Sequence, residues 1–182
     1  MLLDSTVCDF GWKAPDFTLP DLDGEMVSSG RSYGPNGLLV VFICNHCPYV
    51  IAVIDRVVAD ATTLIADGIN VVAVMSNDYN VYKDDHPDKM KEFAHKHEFI
   101  FPYLLDEDQA VARAYRAVCT PDFFGFNRDG ELQYRGRLDD ARMEHPVDRK
   151  TELLDAMGLV TATGKGPDKQ IPSMGCSIKW KS

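Results

Sequence analysis

The sequence predicts an α/β fold, a central mixed sheet flanked by helices, with a β-hairpin ahead of it and a helical insert within it. Three observations carry this reading. Two apolar runs, residues 37–43 and 69–75, enclose a stretch with helical spacing, residues 49–66, which makes a βαβ unit and hence a parallel strand pair. Both runs are apolar throughout, as strands buried on both faces are. Downstream, residues 122–126 and 131–137 flank Asn127-Arg128-Asp129-Gly130, and Asp-Gly between two strand-like runs marks a hairpin.

Taken in order, residues 1–13 lack periodicity and read as an N-terminal arm. Residues 16–19 and 25–28 flank the turn-prone Pro20-Asp21-Leu22-Asp23-Gly24 and predict a first hairpin. Residues 29–36 are rich in Gly, Ser and Pro and predict a loop. In the first long helix Val50, Val53, Ile54, Val57, Val58, Ala61, Leu64 and Ile65 form one apolar face, and Gly68 closes it. Residues 77–88 read as a polar loop, with Lys83, Asp84 and Asp85 given no role. Pro87 opens a helix to about His97. Residues 99–105 are predicted irregular, 107–116 helical and 147–157 the final helix. The tail, residues 164–182, contains Ser177-Ile178-Lys179-Trp180, which alternates like a short strand. Its Ile178 and Trp180 predict a docked tail, since exposing both forgoes apolar burial worth several kcal/mol.

The 182 residues suit a single domain, 1–182, and 45% hydrophobic residues suffice for a core without disulfide staples. A net charge of −9 leaves no basic stripe to meet phosphates, which argues against a nucleic-acid partner. No apolar run approaches the ~20 residues that span a bilayer, and the first residues have neither a basic n-region nor an apolar core. The expectation is a soluble cytoplasmic protein without a membrane partner. Five cysteines with one close pair are not a disulfide framework in a reducing compartment.

That pair, in Cys44-Asn45-His46-Cys47-Pro48, joins a strand end to a helix start. A helix N-terminus offers unpaired N–H groups and partial positive charge, both of which stabilise the reactive thiolate. Pro48 fits a first helical turn. Cys44 is the expected nucleophile, nearer the solvent and with a lowered pKa, and Cys47 the resolving thiol. His46 immediately precedes the second cysteine and is expected to stabilise the Cys44 thiolate. The competing reading, a zinc half-site, lacks a second ligand pair, so neither metal nor cofactor is expected. Cys119 and Cys176 are candidate third thiols, and each is expected to pack as a small hydrophobe instead. His86, His95, His97 and His145 are expected on solvated faces. Arg135, Arg137, Asp139 and Asp140 are expected to form an ion-pair cluster at the sheet edge.

Strand-Cys44-x-x-Cys47-helix followed by Thr120-Pro121 before a hairpin resembles the thioredoxin superfamily. The first hairpin and the insert resemble its peroxiredoxin-like branch, of the AhpC/TSA or redoxin type. Cys44-Asn45-His46-Cys47-Pro48-Tyr49-Val50, Cys119-Thr120-Pro121-Asp122-Phe123-Phe124, Tyr134-Arg135-Gly136-Arg137-Leu138-Asp139-Asp140 and Gly175-Cys176-Ser177-Ile178-Lys179-Trp180 resemble a bacterial thioredoxin-like subfamily. The resemblance implies that Pro121 is a cis-proline facing the dithiol and that the Thr120 backbone pairs with an extended substrate peptide. Asn45, Thr120 and Pro121 are thus the candidate substrate-binding residues. The sequence departs from thioredoxins in three ways. Ile43 stands in place of a tryptophan, Asn45-His46 in place of Gly-Pro, and the strand before Cys44 carries no buried acid.

The expected activity is thiol–disulfide exchange on protein or small-molecule disulfides, with a thiol reductant or reductase as partner. The alternative is a thiol peroxidase, for which the pattern P-x-x-x-T/S-x-x-C is required. Val41 stands at the hydroxyl position. A binding module without turnover is a third option, and the intact dithiol counts against it.

Overall fold

The computed structural model describes residues 1–144 and 147–182. At its centre two ladders lie side by side. In the first, β4 (Gly37–Phe42) pairs antiparallel with β8 (Asp122–Asn127), which pairs antiparallel with β9 (Leu132–Tyr134). In the second, β5 (Ile69–Met75) runs parallel to β6 (Tyr103–Leu105). The Ile43 N–H donates to the Val74 carbonyl at 3.0 Å and joins the two, so parallel and antiparallel neighbours form one mixed layer.

Alternation along β4 divides the core. Leu39, Val41 and Ile43 face one cluster with α2 (Pro48–Ala66), α3 (Pro87–Lys96) and α5 (Glu152–Thr163). Leu38, Val40 and Phe42 face the other, with Ala112 and Tyr115 of α4 (Ala110–Tyr115) and with Phe17, Leu19 and Ile178. Both faces are covered, which is why β4 is apolar at every position. The first hairpin forms as predicted, β2 (Thr18–Pro20) against β3 (Met26–Ser28).

Four local expectations are corrected. The predicted loop at 29–36 begins with a single helical turn, α1 (Ser29–Ser32). Residues 103–105, expected irregular, form β6, because Ala73 of β5 offers a parallel partner. The final helix begins five residues later than predicted. Before it, Arg149 is drawn to Asp60 and Asp139, and the Lys150 N–H donates to Asp140 at 2.8 Å. It also continues through Gly158 to a left-handed Gly164 cap, burial of Leu153, Met157 and Val160 outweighing the roughly 1 kcal/mol cost of an internal glycine. Finally, the N-terminal arm is not free. β1 (Leu2–Asp4) pairs with β10 (Met174–Ser177), and β10 pairs with β7 (Cys119–Thr120), all antiparallel. The tail docks, but its strand begins three residues before the alternating Ser177–Trp180 stretch.

The expected ion-pair cluster is dispersed. Arg135 bonds Asp122 at 3.0 Å, Arg137 bonds Glu152 at 2.7 Å, and Asp139 bonds Arg56 at 2.8 Å. His95 is exposed, whereas His97 is largely buried against Phe93 and pairs with Asp55 at 2.7 Å. His86 caps α3 by accepting the Asp88 N–H. His145 lies outside the described residues. No helix is long and apolar enough to cross a membrane among the described residues.

Candidate active site

The dithiol turn sits where β4 ends and α2 begins. Cys47 is the N-cap of α2, and Pro48 fills the first helical position, where its missing N–H leaves no bond unmade. Across from it, the Thr120–Pro121 peptide is cis, as the resemblance implies. The Thr120 hydroxyl lies 3.5 Å from the Cys44 sulfur, and the Thr120 carbonyl 3.2 Å from the Cys47 sulfur.

Both thiols are buried, Cys44 at 1% exposure and Cys47 at 0%, so Cys44 does not have the solvent exposure expected of it. Their electrostatics also differ from the expectation. The hydrogen bond between the two sulfurs, then burial, then the nearby Asp85 carboxylate push the Cys44 pKa up, against the Thr120 hydroxyl. The same bond holds Cys47 down, helped by Thr120 and by the N–H groups of Val50 and Cys176, against burial. The two thiols thus act as one coupled pair, in which contact with its partner pushes Cys44 up and Cys47 down.

An acid does stand under this turn, but it comes from the loop that was read as merely polar. Asp85 is fully buried at the end of a 3-10 turn, Lys83–Asp85. One of its oxygens accepts the Asn45 N–H at 2.8 Å, and the other accepts the Asn77 amide at 2.8 Å. His46 Nδ1 lies 2.7 Å from that second oxygen, off the axis of a directed hydrogen bond, so the contact is an ion pair when His46 is protonated. Contact with Asp85 raises the His46 pKa above its ordinary value, against desolvation. Tyr82 stacks on the ring at 5.4 Å and holds its plane.

Cys44, His46 and Asp85 bring three ligand-type atoms within 4.8 Å of one another. The His46–Asp85 separation of 2.7 Å is shorter than the about 3.3 Å between neighbouring ligands of a tetrahedral zinc. Both Asp85 oxygens also already accept protein N–H groups. The arrangement is that of a hydrogen-bonded acid beside a thiol.

Two candidate substrate contacts are corrected. Asn45 is turned inward. Its amide donates to the Asp84 carbonyl at 2.9 Å and its oxygen accepts from Tyr103 at 3.0 Å, so it staples the dithiol turn to the following loop. The backbone edge of Thr120, expected to be open for a substrate peptide, is already paired with the chain's own β10, Cys176 directly opposite Thr120. Beside Pro121 a cavity of about 230 Å³ lies among Tyr49, Val53, Phe123 and Met143.

The remaining cysteines separate clearly. Cys119 is fully buried, burial pushes its thiol far up, and alternation along β7 turns it away from the face of Thr120. Cys8 is raised to about 11 by burial. Cys176 is half-buried and packs against the cluster that holds the dithiol, beside Cys44 and Cys47. Sequence reasoning missed Asp85 and Asn77. Neither carries a spacing signal, and a charge in a loop is ordinarily solvated.

A dithiol at a strand end and helix start, facing a cis-proline across a mixed sheet, defines a member of the thioredoxin superfamily. Residues 10–135 match the AhpC/TSA family model, and the chain belongs to that family. A structure of an uncharacterized conserved protein from Geobacillus kaustophilus is 40% identical, with a TM-score of 0.92, covering 100% of this chain and 97% of that one. A hypothetical protein from Sinorhizobium meliloti is 36% identical at TM-score 0.91, covering 98% of each. Among curated proteins, the peroxiredoxin Bcp of Escherichia coli is 27% identical over 74% of this chain and 82% of its own length.

Proposed function

We infer that the protein is a thiol–disulfide oxidoreductase that works through the Cys44/Cys47 dithiol and a mixed-disulfide intermediate. The single observation that carries this is a pair of cysteines two residues apart at a helix start, both against Thr120 and its cis-proline bond, since such a pair closes a disulfide with little movement and the helix start favours a thiolate. Cys44 is the attacking thiol. Its neighbours are side chains, the Thr120 hydroxyl, His46 and Asp85. Cys47 is fenced by backbone, the Thr120 carbonyl and the Cys176 N–H.

Cys44 gives up its proton and attacks one sulfur of a substrate disulfide. The other substrate sulfur leaves and takes a proton. Cys47, as thiolate, then attacks the Cys44 sulfur, closes the Cys44–Cys47 disulfide and expels the second substrate sulfur as a thiolate, which takes up a proton from solvent. A thiol reductant or reductase reopens the pair. The reading fits a reducing, cytoplasmic compartment and needs no cofactor.

A second reading, thiol peroxidase, is favoured by the similarity to a protein named peroxiredoxin Bcp. Against it, Val41 stands where the peroxidase pattern has a hydroxyl residue, and it is buried. Insulin reduction measured beside hydrogen peroxide consumption separates the two. Insulin reduction with weak or no peroxide turnover supports exchange. Rapid catalytic peroxide consumption with a thiol reductant reverses the order.

A further inference from the structure

The tail strand is seated on the dithiol. Cys176 stands directly opposite Thr120 in the β7–β10 ladder. Directly opposite residues of an antiparallel pair point to the same face, with Cβ atoms about 5 Å apart. The Thr120 side chain points at Cys44, so Cys176 faces the dithiol too. It packs against the cluster that holds Cys44 and Cys47, its N–H is among the groups that hold the Cys47 thiol down, and Cys47 in turn raises the Cys176 thiol. The seat is tight, because a Cβ on the adjacent Gly175 would lie 1.9 Å from the Thr120 carbonyl oxygen. It is also fastened. Asn77 accepts the Lys179 N–H at 2.8 Å and Gln109 donates to the Lys179 carbonyl at 2.9 Å. Of the three thiols that meet here, Cys44 and Cys47 are closed to solvent and Cys176 is half-buried.

We propose that Cys176 is a third redox thiol that relays the disulfide from the buried pair to the surface. The proposal rests on reading Cys44 and Cys47 as a redox dithiol. In the oxidised protein the Cys176 thiol loses its proton and attacks the Cys47 sulfur. The Cys47–Cys176 bond forms, the Cys44–Cys47 bond breaks, and Cys44 leaves as a thiolate that takes up a proton. One disulfide and one thiol stand on each side, so no external oxidant or reductant is consumed. The new disulfide lies at the half-buried position, where a thiol reductant can reach it, and Cys44 is returned to its reduced form. Burial and contact with Cys47 raise the Cys176 thiol, so the relay quickens as pH rises. Neither Cys8 nor Cys119 has this placement, the one packing on the opposite cluster and the other facing away.

Two measurements on the full chain test this. In the first, wild type and Cys44→Ser are oxidised with diamide, remaining thiols are blocked, and linkages are mapped by mass spectrometry. Wild type is expected to give Cys44–Cys47 together with a Cys47–Cys176 fraction, and Cys44→Ser to give Cys47–Cys176 alone. In the second, reduction of the oxidised protein by glutathione is timed, and Cys176→Ser is expected to be about tenfold slower than wild type. Because the wild type itself must contain the Cys47–Cys176 peptide, a misfolded variant does not decide the matter. Complete absence of that peptide from the wild type, or equal reduction rates, overturns the relay. Absence of the Cys44–Cys47 linkage overturns instead the reading on which it rests.

Discussion

The Asp85 carboxylate lies 2.7 Å from His46 Nδ1, beneath a dithiol turn whose own strand carries no acid. The acid is supplied by a loop after the following strand, and it holds the turn in place as well as charging it. Asp85 accepts from the Asn45 backbone and from Asn77, and Asn77 in turn accepts from Lys179 of the tail. One carboxylate therefore ties the dithiol turn, the loop after β5 and the C-terminal segment into a single polar network in a buried setting, where each unmet bond is expensive.

Asp85→Asn replaces an acceptor with a donor facing the Asn45 N–H or the Asn77 amide. It is expected to cost about 1–3 kcal/mol of stability. Urea unfolding measures it, and an unchanged midpoint would show that the network does not hold the turn.

The His46–Asp85 pair sets a pH window. The folded pKa of His46 is raised, so its contribution is fully present below the unfolded value, about 6.5, and is lost as pH rises through the folded one. The stability difference between wild type and His46→Gln should be largest at acid pH and shrink on the alkaline side. Unfolding curves across pH test this, and a difference that grows with pH contradicts it.

Cys44 should alkylate slowly at neutral pH, because contact with Cys47, burial and Asp85 hold its proton. Its reaction with iodoacetamide is expected to keep accelerating above the ~8.5 of a free thiol. Cys47→Ser removes the largest of the three causes and should bring that profile to lower pH. Mass mapping identifies the modified residue. Faster alkylation of Cys47 than of Cys44 in the wild type removes Cys44 from the attacking role.

A stabilised thiolate favours the reduced form and makes the disulfide more oxidising. With His46 beside the dithiol the potential is expected above the about −270 mV of thioredoxin, and a reducing cytoplasmic compartment puts it below the about −120 mV of DsbA. Titration in glutathione buffers measures it, with His46→Ala shifted downward. A wild-type value below thioredoxin's contradicts the argument.

Gly175→Ala probes the tail. The added Cβ meets the Thr120 carbonyl oxygen, so β10 must move off β7. Overpacking of this kind costs about 1–3 kcal/mol. Unlike a cavity-forming change elsewhere, it should also hasten alkylation of Cys47 in the still-folded protein. Lost stability with an unaltered Cys47 rate would mean that the tail does not shield the dithiol.

The sequence by itself determined the βαβ unit, both hairpins and the dithiol at a helix start, while the proline that faces it came from the family resemblance. These features are local. Periodicity over a dozen residues, an Asp-Gly turn and a C-x-x-C spacing are written in adjacent positions, and the burial of a continuous apolar run leaves few alternatives. Only the tertiary structure decided what surrounds the sulfurs. β6, β1 and β10 are three or four residues each, too short for a pattern, and exist because a distant strand presents an unpaired edge. Asp85 looks like any loop acid until Asn45, Asn77 and His46 close over it. Cys176 looks solitary until the β7–β10 register sets it opposite Thr120. A thiol's pKa depends on the charges and N–H groups within a few ångströms, and here those come from four separated segments of the chain.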